Sequence, residues 1–323
     1  MISLYINKGM KKMGFVYMTG FLMCLSISHG QKNNLQPPGE LVDLGGYNLH
    51  FNVQGDSKTT MVIEGGTGSW SLQWLDFQKE VSKQFKVVTY DRAGYGWSDG
   101  SPYSRTASNI VEELNSGLEK LGINSSIILI GHSYGGMILR AFAKKFPEKV
   151  KALILVDSAS EYQFDHLPPM ISAILEAGKE QFKKTGAMAR MGHLKADHIP
   201  IDSTINSEYW QAYRHNSAKP SYYDAMYNEM DLLPVTYEQC EIEKPIDIPL
   251  LVISAGDSFE AFSKIPNLPK EESNKVWATL QKKLLNISTK SQHHIIAKGS
   301  HDLLLTVPDE LRAIIISYAL SLE

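Results

Sequence analysis

Ser133 sits in Gly131-His132-Ser133-Tyr134-Gly135-Gly136, a Gly-x-Ser-x-Gly pattern. The apolar run Ile127-Ile128-Leu129-Ile130 precedes it, and a helix-like stretch from Met137 to Phe146 follows. A serine held between a strand and a helix in this way is a nucleophile elbow. Its turn is tight enough to strain the serine backbone, and flanking glycines relieve the crowding. The chemistry such a turn serves is attack of a hydroxyl on a carbonyl carbon. The plain alternative is a Gly-rich turn with a bystander serine.

A serine hydroxyl is a weak nucleophile at neutral pH. It needs a base, and the base needs an orienting acid. His301, in Lys298-Gly299-Ser300-His301-Asp302, follows a short strand run and precedes the last helix, where loops at strand ends converge on an elbow. It is the expected base. His132 adjoins the serine, but adjacent elbow side chains are expected to point elsewhere. His293 and His294 fall in or before a strand, and His193, His198 and His215 fall in a middle segment without strands. The acid expected for His301 is Asp257, directly after the strand run Leu250–Ser254. Asp157, at the end of the run Ala152–Val156, is its rival, with strand-end capping as the plain reading. Glu260 is a further candidate. Asp302 reads as an acid at a helix N-terminus.

A tetrahedral intermediate also needs two hydrogen-bond donors for its oxyanion. The amide of Tyr134, next after the nucleophile, is one. Gly66, in Gly65-Gly66-Thr67-Gly68, is expected to give the other, since glycines let backbone approach a ligand closely. A tight turn is the plain reading of that loop. It is not a phosphate loop, because no Gly-x-x-x-x-Gly-Lys-Ser/Thr occurs.

These residues must be positioned by regular elements. Leu41–Leu44 and Leu49–Val53 flank Gly45-Gly46, which reads as a hairpin. Strand runs at Thr60–Ile63, Val87–Tyr90, Ile127–Ile130 and Ala152–Val156 alternate with helical segments. In the segment Ser108–Leu121, Ile110, Val111, Leu114, Leu118 and Leu121 recur at helical spacing. That alternation demands parallel strands with crossover helices, hence an α/β sheet. It breaks from about Ser158 to Ile246, a stretch rich in Met, Tyr and helix formers. It resumes with Leu250–Ser254, a helix Glu271–Leu285, a short strand His294–Ile296 and a terminal helix Asp309–Leu322. The domain division is therefore 31–157 and 247–323 for the sheet domain, and 158–246 for an insert. Within the insert, Tyr222, Tyr223, Met226, Tyr227 and Met230 form an aromatic-methionine band. It reads either as packing onto the sheet domain or as an apolar pocket over Ser133.

At 323 residues the chain is long enough for one large α/β domain with an insertion, or for two domains. A net charge of −3, with no basic run interleaved with aromatics, gives no nucleic-acid footprint. Lys8, Lys11 and Lys12 precede an apolar stretch from about Met13 to Ile27, followed by Ser28 and Gly30. Residues 1–30 read as a secretory signal peptide cleaved near Gly30, which implies a secreted or periplasmic protein without stable membrane insertion. Cleavage removes three lysines and no acid, taking the charge from −3 to −6. It also removes Cys24. Cys240 alone remains, so no internal disulfide forms and the fold rests on packing.

Four segments together resemble the α/β-hydrolase fold superfamily: Glu64-Gly65-Gly66-Thr67-Gly68, Asp91-Arg92-Ala93-Gly94-Tyr95-Gly96-Trp97-Ser98-Asp99, the elbow around Ser133, and Gly299-Ser300-His301-Asp302. The chain order Ser133, Asp257, His301 is that family's order. The resemblance runs from about Leu41 to the C-terminus, the insert apart. It implies a mostly parallel sheet of about eight strands, a helical cap in the insert, and no cofactor. Many members carry His-Gly where this chain has Glu64-Gly65, and the role of Glu64 is left open. Members that open epoxides or remove halogens use an aspartate nucleophile, which Ser133 argues against. The expected activity is a serine hydrolase acting on a small-molecule ester, thioester, lactone or amide. Acyl transfer to an acceptor other than water is the alternative within enzymes. A catalytically silent hydrolase fold used for binding is the alternative outside them.

Overall fold

The computed structural model describes residues 35–124, 126–202 and 205–323. The leader reading, with Lys8, Cys24 and the cleavage region near Gly30, lies outside them.

Eight strands form one sheet: β1 (Glu40–Asp43), β2 (Asn48–Gln54), β3 (Thr60–Glu64), β4 (Lys86–Tyr90), β5 (Ile127–His132), β6 (Val150–Val156), β7 (Leu250–Asp257) and β8 (Ser291–Ser300). Their spatial order is β1-β2-β4-β3-β5-β6-β7-β8. All pairs from β4 to β8 are parallel, while β1 and β2 pair antiparallel. The β1–β2 hairpin is closed by Asp43, whose carboxylate accepts from the amides of Gly45 and Gly46 at 2.8 and 3.0 Å.

The apolar runs are continuous because both faces of the sheet are covered. Side chains alternate between the faces. Val62, Leu129, Leu153, Leu155 and Val252 join one core cluster, and Met61, Ile128, Ile130, Ile154 and Ile253 join the other. The first cluster packs under α2 (Ala107–Lys120), α3 (Tyr134–Lys145) and α9 (Lys270–Leu284). The second packs under α1 (Leu75–Val81) and α11 (Pro308–Leu320). Burying each such side chain stabilises the fold by about 1.5–3 kcal/mol.

Between β6 and β7 the chain forms α4 (Gln163–His166), α5 (Pro169–Arg190), α6 (Trp210–Ser217), α7 (Pro220–Asp231) and α8 (Leu233–Cys240). Prolines open α5 and α7, where the first-turn amide has no helical partner to lose. A four-residue helix, α10 (Leu303–Thr306), separates β8 from α11.

Strand β8 extends well beyond the expected His294–Ile296. It is an edge strand with one open side, and Ile295 is 55% exposed, so its apolar pattern is short while its hydrogen bonding to β7 is long. Among the described residues no helix is long and apolar enough to cross a membrane.

The topology fixes where a ligand would sit. From β3 the chain crosses to β4 on one side, and from β5 it crosses to β6 on the other. The ends of β3 and β5 are adjacent, with Glu64 opposite Gly131. Loops leaving neighbouring parallel strands in opposite directions open a crevice at their C-terminal ends. The Gly65–Gly68 loop and Ser133 leave at that crevice.

Candidate active site

Ser133 stands between the last residue of β5 and the first of α3, at φ 53° and ψ −122°. Left-handed φ is rare for a residue with a side chain and is held only where the surroundings enforce it. Two glycines make the enforcement work. A Cβ at Gly131 would lie 2.7 Å from Gly136 Cα, and one at Gly135 would lie 2.6 Å from Gly65 O while colliding with the carbonyl of Glu64. Without side chains there, α3 packs directly against the ends of β3 and β5.

His301 follows β8 and reaches the serine, with Nε2 3.0 Å from Ser133 Oγ. Its Nδ1 is 2.7 Å from Asp157 Oδ2. An ionised carboxylate only accepts, so Nδ1–H donates to Asp157, and Nε2 presents its lone pair to the hydroxyl. Asp157 is fully buried and His301 is 20% exposed. Asp157 also has left-handed backbone, at φ 39°. Its amide donates to Ile253 O at 2.7 Å, and its Oδ1 accepts from Ala255 N at 3.0 Å. Strand β7 thus fixes the carboxylate from both ends.

The residue paired with His301 is therefore Asp157, and the expectation for Asp257 is corrected. Strands β7 and β8 slip register between Ala255 and Asp257, where a Cβ at Gly256 would meet the backbone of Ala297. Beyond the slip, Asp257 turns toward the start of α9. Lys270 Nζ lies 2.7 Å from its Oδ2, and Asn274 Nδ2 donates to its Oδ1 at 2.8 Å. Burial works against the charge, but these partners hold the Asp257 carboxyl below its usual range. Glu260 pairs with the same Lys270.

Gly66 lies against the nucleophile. A Cβ there would sit 3.1 Å from Ser133 Cβ and 3.5 Å from Oγ. Tyr134 opens α3, where a first-turn amide has no acceptor within the helix. The structure brings Ser133, His301, Gly66 and Tyr134 to one place.

His132 contributes in a way its position in the chain did not reveal. Its Nε2–H donates to the carbonyl of His301 at 2.9 Å. Burial, then the neighbouring His301, pushes its pKa down. The His301 ring is flanked by His132, at 5.0 Å between centroids, and by Trp277, at 5.8 Å with the ring planes near perpendicular. These contacts limit how far the imidazole can swing.

Glu64, left open by the sequence, is buried with Arg92 and Glu229. Arg92 Nη1 is 2.5 Å from Glu64 Oε1, and Arg92 Nε is 2.8 Å from Glu229 Oε1. Tyr90 donates its hydroxyl to the other oxygen of Glu64. Burial pushes the Glu64 carboxyl up, and the Arg92 guanidinium and Tyr90 hydroxyl oppose that. The aromatic-methionine band of the insert is mainly packing: Tyr222, Tyr223 and Met226 are buried in a cluster with Trp70 and Tyr95. Tyr222 also donates its hydroxyl to Gly68 O at 2.6 Å.

Curated relatives match parts of the chain. The uncharacterized protein YbdG of Bacillus subtilis is 29% identical over 164 residues, 47% of this chain and 50% of that protein. A cis-3-alkyl-4-alkyloxetan-2-one decarboxylase of Shewanella oneidensis is 27% identical over 126 residues, 38% of this chain and 39% of that protein. The chain thus spans half or less of the length of these relatives. Solved structures align over most of it. A thermophilic esterase from Thermogutta terrifontis superposes with a TM-score of 0.59 at 20% identity, over 88% of this chain and 99% of that one. An esterase from Exiguobacterium antarcticum superposes with a TM-score of 0.64 at 14% identity, over 87% and 98%. At such identities the likeness shows the fold. The family model for the alpha/beta hydrolase fold matches residues 59–258, which takes in the elbow, the Gly65–Gly68 loop and Asp157. With that match added to the sheet order and the serine's place at its crevice, the chain belongs to the α/β-hydrolase family.

Proposed function

We propose that this protein is a serine hydrolase that cleaves a small ester, thioester, lactone or amide through an acyl-enzyme on Ser133. The observation that carries the reading is the line Ser133 Oγ–His301–Asp157, at 3.0 and 2.7 Å. As Oγ bonds to the substrate carbonyl carbon, its proton passes to His301 Nε2. Asp157 holds the resulting imidazolium in place and balances its charge. The carbonyl oxygen becomes an oxyanion and accepts from the amides of Gly66 and Tyr134. Collapse breaks the bond to the leaving group, which takes the proton from His301. Water then attacks the acyl-enzyme, with His301 as base again.

The helices of 158–246 act as a cap, and the leader of residues 1–30 directs the chain out of the cytoplasm. The test is a screen of p-nitrophenyl esters and aminoacyl amides, with labelling by a fluorophosphonate probe. Ser133→Ala should abolish labelling and lower turnover by at least about a thousandfold. An unlabelled Ser133 in folded wild-type protein would favour the silent binding fold. Product analysis separates hydrolysis from acyl transfer.

A further inference from the structure

Arg92 spends its whole donor set on a single task. Its Nη1 donates to Gly65 O at 2.9 Å and its Nη2 to Gly66 O at 2.9 Å. The remaining donors go to Glu64 and to both oxygens of Glu229, at 2.5 Å for Glu64 and 2.8 and 3.1 Å for Glu229. A guanidinium has five N–H donors in a rigid fork, so all five are used. Arg92 is 2% exposed and Glu229 is 0% exposed. Glu229 belongs to α7, in the insert, whereas Gly65 and Gly66 belong to the loop beside Ser133.

Carbonyl and amide of adjacent residues share rigid peptide planes. Fixing the oxygens of Gly65 and Gly66 on Arg92 therefore fixes the direction of the amides of Gly66 and Thr67. Tyr95 adds a second link from the same carboxylate. Its hydroxyl donates to Glu229 Oε2 at 2.7 Å and accepts from Gly68 N at 3.2 Å.

We propose that Arg92 is the positioning residue of the oxyanion loop, and that α7 sets the position of that loop through Glu229. The insert then does more than cover the crevice: displacing α7 unseats the donor that meets the oxyanion. The proposal rests on the serine-hydrolase reading for its effect on catalysis, and on the loop geometry alone for its effect on structure. Lysine at 92 keeps the charge but is a single point donor, so it cannot hold two carbonyls and two carboxylates at once. Glutamine at 229 keeps the shape but turns an amide N–H toward Arg92 or Tyr95.

The experiment compares wild type, Arg92→Lys and Glu229→Gln by two readouts, well below their melting temperatures. One is amide hydrogen exchange in the peptide spanning Gly65–Gly68. The other is the rate of fluorophosphonate labelling at Ser133, with kcat and KM for an ester. Both variants should exchange faster in that peptide. They should label at least about tenfold more slowly, with kcat falling and KM nearly unchanged. If Arg92→Lys does not fold, Glu229→Gln decides. A folded variant with wild-type exchange over Gly65–Gly68 overturns the proposal. So does one whose melting temperature falls while its labelling rate stays at the wild-type value. Should wild type itself resist labelling, the hydrolase reading fails, and the exchange measurement still judges the link between α7 and the loop.

Discussion

Asp157 and His301 meet at 2.7 Å even though β7 runs between the strands that carry them. The histidine leaves the end of β8 and passes over β7, whose Ala255 amide holds the other oxygen of the same carboxylate. Replacing Asp157 with Asn keeps the shape and the Ala255 contact but offers the imidazole the wrong partner. On the proposed function, Asp157→Asn should lower kcat by about 10⁴-fold, as loss of the orienting acid does in serine proteases. Asp257→Asn should stay within about threefold of wild type, since that carboxylate pairs with Lys270 and Asn274 and not with His301. Steady-state kinetics on one ester decides, and the reverse ranking would restore Asp257 as the acid.

Gly135→Ala should damage stability and activity together. The new methyl would press on the carbonyls of Glu64 and Gly65, which are backbone atoms and cannot rotate away. Overpacking of this kind costs about 1–3 kcal/mol. It also pushes the end of β3 away from Ser133, so the labelling rate should fall by about tenfold or more. Urea unfolding and probe labelling check the two effects, and a variant with wild-type values in both would contradict the packing described.

His50 makes stability depend on pH. Its Nδ1 is 2.9 Å from Asp91 Oδ2 and its Nε2 is 3.0 Å from Pro38 O, both acceptors, so the buried ring carries both protons. Burial opposes the charge, but the charge and hydrogen bond of Asp91 and the Pro38 carbonyl together outweigh it, and the pKa lies above the usual 6.5. The folded chain therefore holds the proton to higher pH than the unfolded chain. The contribution is complete below the unfolded value and is lost as pH rises through the folded one. The stability difference between wild type and His50→Asn should shrink across that window, by up to about 1.4 kcal/mol per pH unit. Denaturant melts over a pH series measure it. A difference that does not change with pH would show the ring to be neutral.

The Cys240 thiol should resist modification in the native protein. It is 0% exposed, and burial pushes its pKa up although Arg140 Nη2 stands 3.2 Å away. A buried, protonated thiol is a poor nucleophile. Iodoacetamide followed by peptide mapping should find Cys240 unmodified until denaturant is added. Rapid native labelling at this residue would mean that α8 opens readily.

Sequence patterns carried the parallel core well, because strands buried on both faces leave unbroken apolar runs such as Ile127–Ile130. They carried Ser133 and His301 because a strained elbow and a loop after the last strand each leave a local signature. Asp157 was visible only as one of two acids after strands. The choice turned on a register slip at Gly256, which depends on contact with Ala297 from a distant part of the chain. The β8 boundaries were hidden for a related reason, since an edge strand needs no continuous apolar face. The partners of Arg92 were out of reach as well. Glu229 lies 137 residues away in sequence, within a helix whose pattern reports only its own packing.

Ser133 and Asp157 lie close in the chain, at the ends of adjacent strands, while His301 comes from beyond the insert and β7. A growing polypeptide that ends before β8 carries Ser133 and Asp157 but lacks the imidazole that bridges them. The hydrogen-bonded line through Ser133, His301 and Asp157 is therefore complete only once the final strand has docked, so its presence reports completed folding.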